Sequence, residues 1–159
     1  MEKNIEQHNL APVSLIRGHS DVVFDDDFID SILAYKDKKV NNDPDSSHFE
    51  DTLCPSSPTL QRIVSELKDV FFSAQKMRLK LENWWSHIEY TNMSCNTHNH
   101  WPYHVSAVYY VKVPEGSGKF VCYPPGNPYE RYNAYYVTPE EKTFILFPSW
   151  LDHAVLRNR

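Results

Sequence analysis

The apolar period of this chain changes once, near Trp84, and that change limits the folds open to it. Before it, Leu60, Ile63, Val64, Leu67, Phe71 and Ala74 recur at the three-and-four spacing of one helix face. After it, side chains alternate. In WWSHIEYTN, Ser86, Ile88 and Tyr90 share one face while Trp85, His87 and Glu89 share the other. Short β-rich runs follow, VSAVYYVKV, KFVCY and TFILF. Strands are expected near 84–92, 104–113, 119–123, 131–137, 142–147 and 152–157, separated by the turn signals PEGSG, PPGNP and TPEE. Helices first and antiparallel strands after predict an α+β chain whose strands form a sandwich or barrel.

The first half supplies few other signals. PVSLIR, at 12–17, suits an opening strand, and residues 1–10 are polar and expected to fray. DDDFIDSILAYKDKK begins acidic and ends basic, which suits a helix dipole, with Phe28, Ile32 and Tyr35 as its apolar stripe. Residues 41–58 read as a loop, long enough to act as a mobile segment or a substrate-facing lid. Ser57 is a helix cap with Pro58 at the first helical position, and the spacing predicts a helix from there to about Leu81. The 159 residues are expected to form a single domain, with 1–83 as a mainly helical support and 84–159 as the β-barrel core.

Charge narrows the function classes. The net charge is −5 and the pI about 5.9. That balance argues against a general nucleic-acid or membrane-surface binder, which needs a basic patch. No apolar run approaches the roughly 18 residues of a membrane span. MEKNIEQHNL lacks the basic start and apolar core of a signal peptide, so a cytoplasmic protein is expected. Cys54, Cys95 and Cys122 form no CxxC pair and read as reduced thiols, Cys122 as a small core residue.

The chemistry gathers in the β half. His98, His100 and His104 lie close together, and His153 follows on the last expected strand. Neutral imidazole binds first-row transition metals well. Iron(II) oxygenases use two histidines and a carboxylate on one face of the metal and keep the other open. His98 and His100 have the same parity on an extended segment, and an imidazole from a distant strand can close such a set. Spacing alone also fits ordinary surface and core histidines. A structural zinc site is disfavoured by the cysteine spacing.

The segment HNHWPYHVSAVYYVKVPEGSGKFVCYPPG, followed by FILFPSWLDHAVLRN, resembles the 2-oxoglutarate- and iron(II)-dependent oxygenases found in bacteria and their phages. That family reads His-x-His-Pro, then Ser-Gly-x-Tyr-Tyr, then a Pro-x-x-Ser-Gly turn, and ends on Phe-Pro-Ser-x-x-x-His-x-Val. Here these stand as His98-Asn99-His100-Trp101, Ser106-Ala107-Val108-Tyr109-Tyr110, Pro114-Glu115-Gly116-Ser117-Gly118 and Phe147 to Val155. The resemblance covers roughly residues 84–158, and the N-terminal half carries no motif of its own.

The resemblance implies a double-stranded β-helix, a jelly-roll or cupin-like barrel, with Fe(II) at its mouth. It implies His98 and His153 as iron ligands, with His100 as the third ligand or its close neighbour. The co-substrate would be 2-oxoglutarate, released as succinate while a C–H bond of a small-molecule or protein side-chain substrate is hydroxylated in the cytoplasm of a bacterium or phage-infected host. Tyr109 and Tyr110 take opposite faces, so one enters the barrel, either to pack there or to hydrogen-bond the co-substrate, and Tyr110 is the candidate for that contact. His104 is expected outside the ligand set. Trp101, Tyr103 and Trp150 suit a substrate rim or ordinary half-buried aromatics, and Arg131 a solvated strand position.

Three departures bear on this reading. Wider relatives carry His-x-Asp where His100 stands here, so the set is three-histidine or the carboxylate comes from elsewhere, Glu89 before Asp152. Pro124 sits where the family often has Asp. The sequence stops at Arg159, ahead of the Arg and final strand with which the family continues. That Arg is the expected anchor for the far carboxylate, because a guanidinium fork matches a carboxylate. Arg157 and Arg159 are the cations left for the role, but they come early. A truncated chain or a relative that folds without normal 2-oxoglutarate binding are the two expectations. Two other functions remain open: a three-histidine metal dioxygenase independent of 2-oxoglutarate, and a non-catalytic barrel serving as a binding or virion-associated module.

A missing strand leaves an open sheet edge, which invites pairing with a second copy. The expected outcome is a homodimer whose population rises with concentration. Sedimentation that shows a concentration-independent monomer would remove this expectation.

Overall fold

The computed structural model describes residues 13–34, 48–50, 57–125 and 134–159. Tyr35, Cys54, Arg131, the N-terminal residues expected to fray and most of the expected 41–58 lid lie outside them.

In chain order the elements are β1 (Ile16–His19), α1 (Phe28–Ala34), β2 (His48–Glu50), α2 (Pro58–Gln75), β3 (Trp85–His87), β4 (Cys95–His98), β5 (Val105–Tyr109), β6 (Phe120–Cys122), β7 (Tyr135–Val137), β8 (Thr143–Pro148) and β9 (His153–Val155). The fold is α+β, with antiparallel strands in three sheets ordered β1-β8-β5, β2-β3 and β4-β9-β6-β7. Among the described residues no helix is long and apolar enough to cross a membrane.

Strand β8 shows how the layers stack. Its run TFILF is buried throughout, so it is apolar on both faces. Ile145 and Phe147 pack with Phe120, Cys122, Val137 and Leu151, which fill the space between the three-stranded and four-stranded sheets. Phe144 and Leu146 point the other way and pack with Phe71, Leu67 and Val70 of α2. Two sheets sharing one core make a sandwich, and α2 covers its outer face. Cys122 is the core residue its sequence context suggested.

Helix α2 begins as the sequence dictates. The Ser57 hydroxyl accepts from the Leu60 N–H, and Pro58 occupies the first turn. It ends at Gln75, short of the expected Leu81. Lys76 takes the left-handed conformation (φ 57°) and its N–H closes on the Phe72 carbonyl, so the chain leaves the helix there. A glycine would have signalled that stop, whereas a lysine does not. Leu79 still reaches the Phe71 cluster from the extended segment beyond.

Other boundaries differ as well. The opening strand lies at Ile16–His19 rather than 12–17, because its pairing runs from Ile16 opposite Leu146 to His19 opposite Thr143. The support region thus adds an edge strand to the main sheet as well as helices. The expected 84–92 strand is only Trp85–His87, since a turn at Asn92 (φ 68°) ends the extended run. A short strand, β2, occupies part of the expected 41–58 loop by pairing with β3. Strands β5, β6, β7 and β9 lie inside their expected ranges but are shorter, β8 runs past its range to Pro148, and β4 at Cys95–His98 has no expected counterpart.

The β6–β9 pairing fixes where His153 sits, because Cys122 lies opposite His153 and Phe120 opposite Val155. Beyond β9 the Leu156 N–H donates to the Lys119 carbonyl at 2.8 Å. Gly118 makes this approach possible. A Cβ there would stand 1.9 Å from the Leu156 carbonyl oxygen, a backbone atom that cannot swing away. Gly118→Ala is therefore expected to lower stability by about 1–3 kcal/mol, the range for overpacking a close contact. Urea denaturation measures this, and an unchanged midpoint would contradict the contact.

Candidate metal centre

Strands β4 and β9 bring two histidines face to face. They pair antiparallel with His98 directly opposite His153, and a bulge falls between Cys95 and His98. Register partners project to the same side of a sheet, so both imidazoles enter one space. The ring centroids are 4.4 Å apart.

His100 arrives differently. Sequence parity placed it on the same strand face as His98, but β4 ends at His98 and His100 lies in the turn beyond. Its backbone N–H donates to the Ser149 carbonyl at 2.7 Å, which holds the turn against the β8–β9 connection. The imidazole then stands 4.9 Å, centroid to centroid, from both His98 and His153. One candidate ligand atom from each of the three residues lies within 4.8 Å of the others. Modest turns about the side-chain torsions bring such atoms to about 2 Å from one ion.

The hydrogen bonds leave suitable atoms facing inward. His98 Nδ1 lies 2.7 Å from the Asn96 carbonyl, and His153 Nδ1 lies 2.8 Å from the Leu151 carbonyl. A carbonyl only accepts, so each Nδ1 carries its hydrogen and Nε2 keeps a lone pair. This is the second-sphere bond that orients metal-bound histidines. Cys95 Sγ stands 3.6 Å from His98 Nδ1. Aromatic rings pack the backs of the imidazoles. Phe147 meets His153 at 4.8 Å, Phe120 stacks on it at 5.5 Å, and Trp85 lies 5.0 Å from His100.

Burial holds the His153 imidazole below its ordinary pKa, outweighing its bond to the Leu151 carbonyl, and nearby His98 depresses it further; Asp152 opposes that. The neutral form, which binds a metal, is thereby favoured. Donor chemistry, tautomers and spacing all fit a divalent first-row ion.

Neither candidate carboxylate joins the three histidines. Asp152 is exposed, and its Oδ1 accepts from Asn99 Nδ2 at 2.8 Å. Glu89 is enclosed elsewhere, and burial raises its carboxyl to about 7. His87 Nε2 lies 3.5 Å from Glu89 Oε1, near enough for attraction between charges. The geometry is not that of a hydrogen bond, however, and Oε1 has no hydrogen-bond partner among the described residues. The contact is one of proximity, and Glu89 is a desolvated acid.

The remaining expected residues are dispersed. Ser106 pairs with Phe147 and Val108 with Ile145, so the alternate position Tyr110 shares their face, toward the sandwich interior; Tyr109 pairs with Phe144 on the α2 side. Burial pushes the Tyr110 hydroxyl up to about 12, against the charge of Arg17 and with that of Glu89. Sequence reasoning passed over Arg17, whose only signal is its parity with Ile145 across the β1–β8 pair. Arg157 and Arg159 are not brought to the histidines. They lie on the segment leading away from His153, where the Arg159 N–H donates to the Gly116 carbonyl at 3.0 Å. His104 is exposed and outside the cluster, and its carbonyl accepts from the Ser149 N–H at 3.2 Å. Trp101, Tyr103 and Trp150 are exposed, at 74%, 42% and 40%, on the loops that carry His100 and precede His153, so they belong to the surface rather than the core.

Residues 83–159 match the sequence profile of a family described as "Putative 2OG-Fe(II) oxygenase". No curated protein matches the chain.

Glu89 and His153 set opposite limits on stability. The folded pKa of Glu89 lies above its ordinary 4.5, so the stability linked to its protonation is complete below 4.5 and is lost as pH rises through about 7. That of His153 lies below its ordinary 6.5, so its share is present above 6.5 and is lost as pH falls toward the folded value. Because the two windows overlap, the shares oppose each other up to 6.5, and urea denaturation of metal-free protein should show stability falling between about 6.5 and 7 and levelling above that. Glu89→Gln should remove that fall and leave the rise due to His153, a change of at most roughly 3 kcal/mol. An unaltered profile would show that Glu89 is not the desolvated group.

Proposed function

We propose, from the place of residues 83–159 in a 2OG-Fe(II) oxygenase-like family, that this chain is a 2-oxoglutarate- and iron(II)-dependent hydroxylase. The observation that carries the reading is the convergence of His98, His100 and His153 at one end of the sandwich core. In this reading the sandwich is a double-stranded β-helix, since the chain passes repeatedly between the two sheets from β4 through β9.

His98, His100 and His153 would hold the iron through Nε2. Bound iron(II) with 2-oxoglutarate supplies the oxidising chemistry for a C–H bond, and the protein supplies position and exclusion of water. The Asn96 and Leu151 carbonyls fix the tautomers, while Phe120 and Phe147 keep water from the inner side of His153. Tyr110 is the co-substrate contact we favour. Arg17, exposed at the sheet edge and paired with Glu140, bears on the Tyr110 hydroxyl through its charge. Arg157 and Arg159 are the less favoured anchors because of where their segment runs. Trp101, Tyr103 and Trp150 would rim the entry for a small molecule or a protein side chain, and the protein would act in the cytoplasm.

A second reading has its own observation. Among the described residues no carboxylate joins the histidines, and a three-histidine iron site can run dioxygenase chemistry without 2-oxoglutarate. Succinate formation separates the two.

The deciding experiment is anaerobic iron(II) titration with and without 2-oxoglutarate, in wild type and His153→Ala. A weak visible charge-transfer band is expected in the wild-type ternary mixture and not in the variant. Iron binding without the band would favour the second reading, and no iron binding would overturn both.

A further inference from the structure

Two strands and a turn deliver the histidines, yet only one described side-chain bond joins residues adjacent to all three. Asn99 lies between His98 and His100, and Asp152 immediately precedes His153. Asn99 Nδ2 donates to Asp152 Oδ1 at 2.8 Å, and Asn99 Oδ1 accepts from the Trp101 N–H at 3.2 Å. Both ends of the amide are thus engaged, one across the site and one within its own turn. The Asp152 carbonyl also accepts from the Tyr123 N–H at 2.8 Å, which ties that end to the chain leaving β6.

We propose that the Asn99–Asp152 hydrogen bond is a positioning latch that holds the two-histidine turn at the correct separation from His153. The inference rests on the metal reading above and adds residues that do not themselves ligate the metal. Both side chains are exposed, so the bond contributes little to folding. A metal site is more demanding, because a small drift of the His100 turn moves one nitrogen out of reach of an ion. The β4–β9 pairing fixes His98 against His153, but β4 ends before His100. His100 depends on its backbone bond to Ser149 and on the bridge made by its neighbour Asn99. Loss of an outer partner of this kind typically lowers metal affinity about 10- to 100-fold.

The test is cobalt(II) titration, followed by its visible d–d spectrum, in wild type, Asn99→Ala, Asp152→Ala, Asn99→Asp and the exchanged pair N99D/D152N. The alanine variants should bind about 10-fold or more weakly with an altered spectrum, while their metal-free melting temperatures stay within about 3 °C of wild type. Asn99→Asp sets two carboxylates against each other and should weaken binding as well. The exchanged pair restores the bond with donor and acceptor reversed and should recover most of the affinity. If an alanine variant fails to fold, Asn99→Asp against the exchanged pair gives the same comparison without a volume change. Variants that bind cobalt as wild type does, with the same spectrum, would overturn the latch alone. Failure of the exchanged pair to recover would also overturn it, by showing that the bond is not what matters. Wild type that binds no cobalt would overturn the metal reading, and the latch with it.

Discussion

The antiparallel pairing of β4 with β9 is the constraint on which the rest of the site depends. It sets His98 opposite His153 at a fixed backbone register. Strand β9 is in turn held by β6 on its other side, and β6 contributes Phe120 and Cys122 to the sandwich core. Burial of that core therefore underwrites the spacing of the imidazoles. A one-residue slip of β9 would turn His153 to the opposite face and present Asp152 or Ala154 instead. The bulge between Cys95 and His98 belongs to the same logic, since an irregularity of this kind re-aims the last residue of a strand.

Burial acts on the two inner titratable groups in opposite directions. It favours neutral imidazole at His153 and neutral carboxyl at Glu89, because in each case the charged form loses its hydration. The Cys95 thiol follows the same rule: burial raises it first and the Glu89 charge raises it further. The inner part of the β half thus disfavours any charge that is not matched. Arg17, which has Glu140 at 2.7 Å, and the Arg62–Asp25 pair, at 2.9 Å, lie instead at exposed or half-exposed positions.

The sequence revealed elements wherever a local signal and a tertiary contact agreed. Ser57 and Pro58 opened α2, and the Ile63–Leu67–Phe71 stripe became its packed face. The TFILF run proved to be the doubly covered central strand. The end of α2 was hidden, because Lys76 caps it in a conformation that sequence rules assign to glycine. Strand β4 was hidden too. CNTH has no apolar alternation, and its strand state comes from pairing with β9 rather than from its own residues. For the site, His98, His100 and His153 were legible, but the parity argument for His100 held only in outcome. A backbone bond to Ser149, rather than strand alternation, brings it in. Asn99 gave no signal at all, since an asparagine between two histidines is as ordinary in a turn as in a latch.

The donor set also bears on which co-substrate suits such a centre. A two-histidine, one-carboxylate set offsets half the charge of a divalent ion, whereas three neutral imidazoles offset none. In surroundings that disfavour unmatched charge, the remaining positive charge must be met from outside the ligand set. Asp152 is one carboxylate close by, but its Oδ1 is engaged by Asn99 and its side chain is exposed. The larger share would fall to whatever binds the open face. A chelating dianion is better suited to that than a neutral ligand, because its charge is delivered directly to the metal. The three-histidine set, which at first sight weakens the case for a 2-oxoglutarate enzyme, therefore supplies an electrostatic reason for an acidic co-substrate.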